Sequence, residues 1–246
     1  MDRLDHVLDT AGPLLRRVDE VLIAAGAPAG HDVWTQLRRV RLLPADAVDG
    51  VAALRPDVLA GAAPELRSHG RAYATVAASL PPPGDWTGEA ADAYDALRRR
   101  LAGHLDSGPG SLAERLDATA DLGDALTDWM RSCRGELALT LAEVLGSVEA
   151  VTLTGTGLTG PTGTGPTSTV GTGPTRTGLT SMGPAGMAAG GGTRAVPEAE
   201  VVVAAADVAA RLLRTVADGQ DRGAELMERS SDLAAVRHAD RYDGGH

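Results

Sequence analysis

The most suggestive enzymatic pattern in this 246-residue chain is the segment GTGLTG at residues 155–160. Its spacing fits the G-x-G-x-x-G loop that holds a dinucleotide pyrophosphate against a helix N-terminus, and the preceding AVTLT could pass for a strand. However, Pro161 and a long Thr/Gly/Pro run follow, so no helix start faces a phosphate and no βαβ pattern surrounds the loop. We interpret the match as a product of the Thr-Gly repeat and expect no cofactor.

Metal and acid–base chemistry find little support in the other polar residues. The chain has no lysine, which excludes a P-loop, and it has no G-x-S-x-G nucleophile elbow. Its six histidines are dispersed, apart from the tail segment 238–246, where two histidines and two aspartates stand close together. An enzyme with a metal in this tail is one alternative, but we predict no metal site and no catalytic residue. Acidic pairs such as Asp121 and Asp124 stand near arginines and indicate solvated helix faces.

Charge and composition exclude several other classes of function. The net charge is −10, and the arginines are scattered among acids, so a nucleic-acid surface is not expected. The single cysteine, Cys133, falls on an apolar helical stripe and is predicted to be a small buried hydrophobic residue. No run of eighteen apolar residues occurs, and the first residues alternate charges where a signal peptide needs an apolar run. We therefore expect no membrane span and no general secretory signal.

Helical periodicity is the main structural signal. With only six aromatic residues, the core must consist of Leu, Val and Ala, a composition that favours helices. Residues 1–62 are predicted to form short N-terminal helices, and the Gly12-Pro13 pair divides the first pattern into two helices or one kinked helix. Residues 63–151 are predicted to form a helical hairpin plus a long third helix. The weak points of that third helix are Gly123, Gly135 and Gly146.

The hairpin is predicted from two apolar seams with three- and four-residue spacing, which we expect to pack against each other. These seams are Leu66, Tyr73, Val76 and Leu80 before the turn, and Ala90, Tyr94, Leu97, Leu101 and Leu105 after it. After the third helix, residues 152–196 are predicted to be a low-complexity flexible linker. Residues 197–240 are predicted to be a C-terminal helix, and residues 241–246 a disordered tail. The predicted fold class is thus all-α, an elongated helical bundle built around an antiparallel helical hairpin, with a disordered Thr/Gly/Pro linker.

The turn of the hairpin, PPPGDWTGEAADAY at residues 81–94, contains an unusual pair of residues. Thr87 is predicted to cap the second helix, and Gly88 to remove a side chain where the two helices approach most closely. Trp86 is expected to lie over the open end of the hairpin. The plain interpretation is a structural anchor of the hairpin. The alternative is a turn and partner-recognition site formed by Trp86, Thr87, Gly88 and Tyr94.

The segment WTGEAADAY resembles the Trp-X-Gly (WXG) family of actinobacterial type VII (ESX) secretion proteins, in its longer PPE-like variety. The likeness covers residues 64 to 106, and it implies a non-enzymatic helical bundle that pairs with another helical protein. It also implies that a membrane-embedded secretion ATPase recognises the pair, with Trp86 and Gly88 in the recognised turn. A protein of this kind is a secreted substrate or the pairing partner of one, and it reaches the medium or cell surface without a signal peptide.

One family feature is missing. The family's export tag is Tyr-x-x-x-Asp/Glu, but Tyr73, Tyr94 and Tyr242 are followed four residues later by Ala, Arg and His. Either a partner supplies the tag or the chain is a cytoplasmic scaffold or chaperone-like binding protein that is not exported. The Ala-rich hairpin buries little area per residue. We therefore expect it to be completed by a helical protein partner, by a homodimer, or by the chain's own terminal helices.

Overall fold

The all-α fold class is confirmed by a computed structural model, which describes residues 2–155 and 195–243. For residues 195–197 and 232–243 it describes the backbone only. Within these ranges every regular element is helical. The α-helices are α1 (Arg3–Ala25), α2 (Val33–Val40), α3 (Pro44–Ala52), α4 (Pro56–Ala60), α5 (Ala62–Ser79), α6 (Glu89–Ala102), α7 (Leu112–Leu145), α8 (Val148–Gly155) and α9 (Ala195–Asp243), and a π-helical turn (Gly103–Ser107) follows α6.

Residues 156–194 of the predicted linker and residues 244–246 of the predicted tail lie outside the described residues. The predicted bounds of both segments are wrong at their ends, because residues 152–155 belong to α8, and residues 195–196 and 241–243 belong to α9. The structure departs from the expectations in three other places. First, α1 is one helix with Pro13 inside it, so the predicted alternative of two separate helices is wrong. Second, α7 passes through Gly123 and Gly135 and ends with Gly146 as its C-cap, where the chain turns by 62° into α8. Third, the strand-like AVTLT is part of α8, because its apolar residues pack as a helix against the core.

The main core lies among α1, α2, α3, the second half of α7, α8 and the first half of α9. The C-terminal helix therefore packs on the chain's own bundle. Between residues 201 and 217 of α9 the buried side chains are Ala, Val and Leu at helical spacing, and several have no exposure at all. Removing this apolar surface from water stabilises the fold by about 25 cal/mol per Å². The largest fully buried side chains include Leu4, Val18, Leu137, Leu141, Leu153, Leu212 and Leu213.

The polar face of α9 holds α2 and the two residues before it through ion pairs and one histidine hydrogen bond. Asp207 Oδ1 lies 3.2 Å from His31 Nε2, and Arg214 Nη2 donates to Asp32 Oδ2 at 2.5 Å. The backbone N–H of Val33 donates to His31 Nδ1, so the ring carries its proton on Nε2 and donates it to Asp207. Further along, Arg39 bonds both Asp218 at 3.0 Å and Asp221 at 2.7 Å. These pairs are partly exposed, so each contributes little to the free energy of unfolding. Their main effect is to fix the register of α2 on α9.

A buried arginine ties the start of the chain to α3 and α7. Asp2 caps α1 in a capping box with Asp5, and the guanidinium of Arg134, on α7, bonds both carboxylates at 2.5 and 2.8 Å. Arg134 also donates to the carbonyl oxygens of Ala52 and Leu54, beside the end of α3. Its side chain is only 7% exposed, and its charge is balanced by two acceptors of opposite sign. We call this group of contacts the Arg134 clamp.

No single helix within the described ranges is both long and apolar enough to cross a membrane, although one pair, bent at residues 146–147, meets both conditions together.

We predict that the variant R134M loses roughly 2–4 kcal/mol of unfolding free energy at neutral pH, because two carboxylates and two carbonyl oxygens lose a shared donor. The hydrogen bond from Arg134 lowers the pKa of Asp2 from 3.8 to about 2. The stabilisation is therefore present above pH 3.8 and is lost as the pH falls towards 2. Urea unfolding at neutral pH and near pH 3 measures both effects.

The matched control is R131M, because Arg131 is on the same helix but exposed, with its nearest acid 3.6 Å away. R131M should unfold within about 0.5 kcal/mol of the wild type. The clamp would not have the assigned role if the difference in unfolding free energy between R134M and the wild type were as large near pH 3 as at neutral pH.

Candidate interaction site

The candidate site lies on an arm formed by α5, α6 and the first half of α7. In this arm α5 packs closely on α7 through small residues spaced seven apart, and its contact with α6 is slight. The buried positions are Ala63, Gly70 and Ala77 on α5, and Ala113, Ala120 and Thr127 on α7. A Cβ atom on Gly70 would lie 3.6 Å from the carbonyl oxygen of Ala113, so the two backbones are very near each other. Small side chains permit this approach, and the van der Waals contact between the two helices is correspondingly large.

Ion pairs reinforce the packing of α5 on α7. Arg67 donates to Asp121 and Asp124 at 2.7 Å each. These are the acidic residues that were predicted from the sequence to lie on a solvated helix face near arginines. In the structure both accept hydrogen bonds from one arginine across the helix interface, which is a structural role.

The predicted seam between the two hairpin helices is wrong. Tyr73 and Val76 on α5 are 38% and 49% exposed, and Leu97 and Leu101 on α6 are 51% and 47% exposed. The reason is that α5 directs its Ala and Gly face towards α7, which turns its larger side chains away from the buried contact. On α6 the only buried residue is Ala91.

The connection between α5 and α6 reverses the chain within nine residues. Leu80 leaves α5 in an extended conformation, and three prolines, which cannot continue a helix, follow it. The backbone N–H of Trp86 then donates to the carbonyl oxygen of Pro83 at 3.2 Å and closes a turn. The three prolines stiffen the connection, and Gly84 and Gly88 supply the positive φ angles that the reversal requires.

The structure brings Trp86 and Tyr94 together. Their ring centroids are 5.9 Å apart and the planes are tilted by 47°, a geometry that aromatic pairs favour. Tyr94 also donates its hydroxyl hydrogen to the carbonyl oxygen of Pro81 at 2.9 Å, which fixes the start of α6 to the end of α5. Trp86 nevertheless stays 53% exposed. The tip of the arm therefore presents a positioned, half-exposed indole.

The predicted roles of Thr87 and Gly88 are corrected. Gly88 is the N-cap residue of α6, no side chain caps this helix, and Thr87 is exposed. A Cβ atom on Gly88 would meet nothing within 4 Å, so close helix approach is not the reason for glycine here. The reason is its φ of +99°, which L side chains rarely adopt. Sequence reasoning assigned the cap to Thr87 because threonine is a good capping residue, but the turn needs the positive φ one residue later.

The outward face of α6 is apolar along its length. Ala90, Tyr94, Leu97 and Leu101 recur at four- and three-residue steps and so share one face of the helix. We call these residues the α6 strip. Charges on α6 are segregated: Glu89 and Asp92 are in the first turn, and Arg99 and Arg100 in the last. Asp95 is bonded by Arg98 and Arg99, and the bond from Arg98 holds the pKa of Asp95 below its usual range.

Other groups that could perform chemistry are accounted for by packing. The described residues contain no group of three or more His, Cys, Asp or Glu side chains that could hold a metal ion. The side chains of the 238–246 cluster and most of the GTGLTG loop lie outside the described residues. Burial raises the pKa of Asp19 to about 6, while one of its oxygens accepts from the backbone N–H of Ala45 and helps to position α3. Cys133 is buried as predicted, and desolvation raises the pKa of its thiol.

A shallow groove of about 350 Å³ lies between the end of α1 and the start of α9. Small apolar side chains line it, with Glu198 as its one ionisable residue. A groove with a single carboxylate lacks the convergent polar groups that orient a small-molecule ligand. The arm is therefore the stronger candidate for function.

No family model, curated protein or solved structure matches this chain.

Two features escaped the sequence analysis. The Arg134 clamp was not predicted, because the arginines were described only as scattered among acids. The signal for it was the early Asp-x-x-Asp pair at residues 2 and 5, which supplies two partners for Arg134. The buried face of α5 was not predicted, because its side chains are small and the apolar pattern of the sequence is clearest for large residues. The seven-residue spacing of small residues was the signal that would have identified it.

We predict opposite effects for two substitutions at Gly70. A methyl group there meets ordinary van der Waals distances, so G70A should gain about 0.5–1 kcal/mol from better helix propensity. G70L should lose about 1–3 kcal/mol, because its side chain pushes α5 from α7. Thermal unfolding measures both changes.

Gly12 in α1 is the control, since a Cβ there meets nothing within 4 Å. G12A and G12L should both be neutral or stabilising. If G70L is as stable as G12L, α5 and α7 are not in the close contact described.

Proposed function

We propose that this chain is a non-enzymatic helical protein of the WXG type, acting in type VII secretion as a secreted substrate or as the pairing partner of one. One observation carries the proposal: the arm ends in a half-exposed Trp86, held by Tyr94, and its large apolar side chains face solvent. The residues of this turn are those that carry the sequence resemblance, Trp86, Thr87, Gly88 and Tyr94.

The exposed apolar residues support a role in binding. Tyr73, Val76, Leu97 and Leu101 all expose between 38% and 51% of their surface on neighbouring helices. Leu97 and Leu101 share one face of α6, and grouped apolar exposure of this kind marks a docking surface more often than a free surface. An amphipathic helix is the partner class that fits, because it presents apolar residues at the same three- and four-residue steps. The partner is a helical protein or a second copy of this chain.

The WXG interpretation also assigns a route of export. The turn at Trp86 and Gly88 would be recognised by the secretion ATPase, and the protein would reach the medium or cell surface without a signal peptide. Because no tyrosine in the chain is followed by an acid four residues later, the partner supplies the export tag in this proposal. The chain and its partner would then leave the cell as a pair.

A cytoplasmic scaffold or chaperone-like binding protein is the second candidate. Two observations favour it: the missing tag, and the packing of α9 into the core. Because the chain's own terminal helices complete its core, folding does not require a partner. In this alternative the arm binds one partner inside the cell and neither protein is exported.

We predict that W86A abolishes export and partner capture and lowers the unfolding free energy by less than about 1.5 kcal/mol, because the indole is half exposed. The measurement is quantitative mass spectrometry of culture supernatant and cytosol from the native host, with and without the secretion ATPase.

The matched control is W34A, because Trp34 is also partly exposed, at 40%, but lies on α2 away from the arm. W34A should be exported normally. Equal supernatant levels with and without the ATPase would reject the secretion role. A protein found only in the cytosol, bound to one partner through Trp86, would select the scaffold.

A further inference from the structure

We infer that a second copy of this chain covers the α6 strip, with the two α6 helices packed antiparallel about a two-fold axis. This inference rests on the proposed function, because it names the partner of the arm. The reason for choosing a second copy is that α6 is complementary to itself when it is reversed, both in its apolar residues and in its charges.

The apolar register is symmetric about the middle of α6. With the two-fold axis between residues 95 and 96, Ala90 lies opposite Leu101 of the second copy, and Tyr94 lies opposite Leu97. Each large side chain of one helix therefore faces a different apolar side chain of the other, and each contact occurs twice. Ala93 borders the strip and is exposed, so its small side chain lets the two helices approach closely.

The charges beside the strip follow the same symmetry. Glu89 and Arg100 lie eleven residues apart on one flank of α6, which is about 16 Å along the helix. In an antiparallel pair this flank faces its own copy, so Glu89 of each chain comes within one helical turn of Arg100 of the other. Both side chains are exposed, and neither has an ion-pair partner within the described part of the chain. Arg98, on the opposite flank, is instead held by Asp95.

The area of the α6–α6 contact determines how tightly the two copies are expected to bind. A helix of 14 residues offers about 21 Å of length, so the interface falls below the roughly 1,200 Å² of stable complexes. The dimer should therefore be weak and depend on concentration. Such a pair would be populated where the protein is concentrated, and a stronger partner would displace it.

The experiment is sedimentation equilibrium of the full chain from about 1 µM to about 1 mM, a range that brackets weak dimers. The wild type should change from monomer to dimer across this range. L97D should raise the dissociation constant at least about tenfold, because it places a charge at the centre of the strip. L139D is the matched control, since Leu139 is equally exposed, at 48%, but lies on α7. It should leave the dissociation constant unchanged.

Charge reversal tests the antiparallel register. E89R and R100E should each weaken the dimer several-fold, and the double variant E89R/R100E should restore it, because both new pairs again join opposite charges. An equimolar mixture of the two single variants should form a mixed dimer more readily than either variant dimerises alone. Circular dichroism of every variant checks that the helices remain intact.

Several results would overturn the inference: a wild type that stays monomeric throughout, equal effects of L97D and L139D, or a double variant no better than the single ones. The proposed function is tested separately by the export of W86A. A monomeric wild type with Trp86-dependent export rejects the second copy and keeps the function. If the dimer depends on Leu97 but Trp86 affects neither export nor partner capture, the inferred dimer is supported and the proposed function is rejected.

Discussion

The guanidinium of Arg134 is the group on which the rest of the structure depends. It is buried on α7, and its donors reach the capping box of α1 and two carbonyl oxygens at the end of α3 and just after it. A buried charge is costly unless it is paired and hydrogen-bonded, and here two carboxylates and two carbonyl oxygens accept hydrogen bonds from the guanidinium. Because these acceptors come from distant parts of the sequence, the clamp fixes where the N-terminal helices pack on α7. It thereby also fixes the apolar surface of α1 and α7 against which α9 packs.

The long helix α7 then joins two kinds of packing. Its second half carries Leu137, Leu141 and Val144 into a core closed by α1 and α9. Its first half carries alanines against the small residues of α5. The packing in the core buries large apolar side chains. The packing of α5 on α7 brings the two backbones together and leaves the large side chains of α5 exposed to solvent. This division explains how one chain has both a closed core and an arm with an apolar exterior.

Much of the fold could be predicted from the sequence, since helical periodicity is strong in a chain of Leu, Val and Ala. The errors occurred where two local signals competed. Gly123, Gly135 and Gly146 look alike in sequence, but only Gly146 interrupts the helix, because tertiary contacts on both sides of the other two maintain it. The hairpin seam was predicted from large residues, whereas close backbone approach decided the buried face. The position of Trp86 and Tyr94 at a turn could be predicted from the sequence. Their ring contact and the hydrogen bond from the Tyr94 hydroxyl to Pro81 depend on the three-dimensional arrangement and could not.

The central claim is that α6 of the arm lacks the burial that protects the core, and we propose that a partner covers it. Hydrogen–deuterium exchange of dilute protein tests this claim most directly, because exchange reports local opening helix by helix. The account predicts that amides of residues 89–102 exchange at least about 100-fold faster than those of residues 201–217. Equal protection of these two segments in dilute monomer would show that the arm is already complete, and would contradict the account.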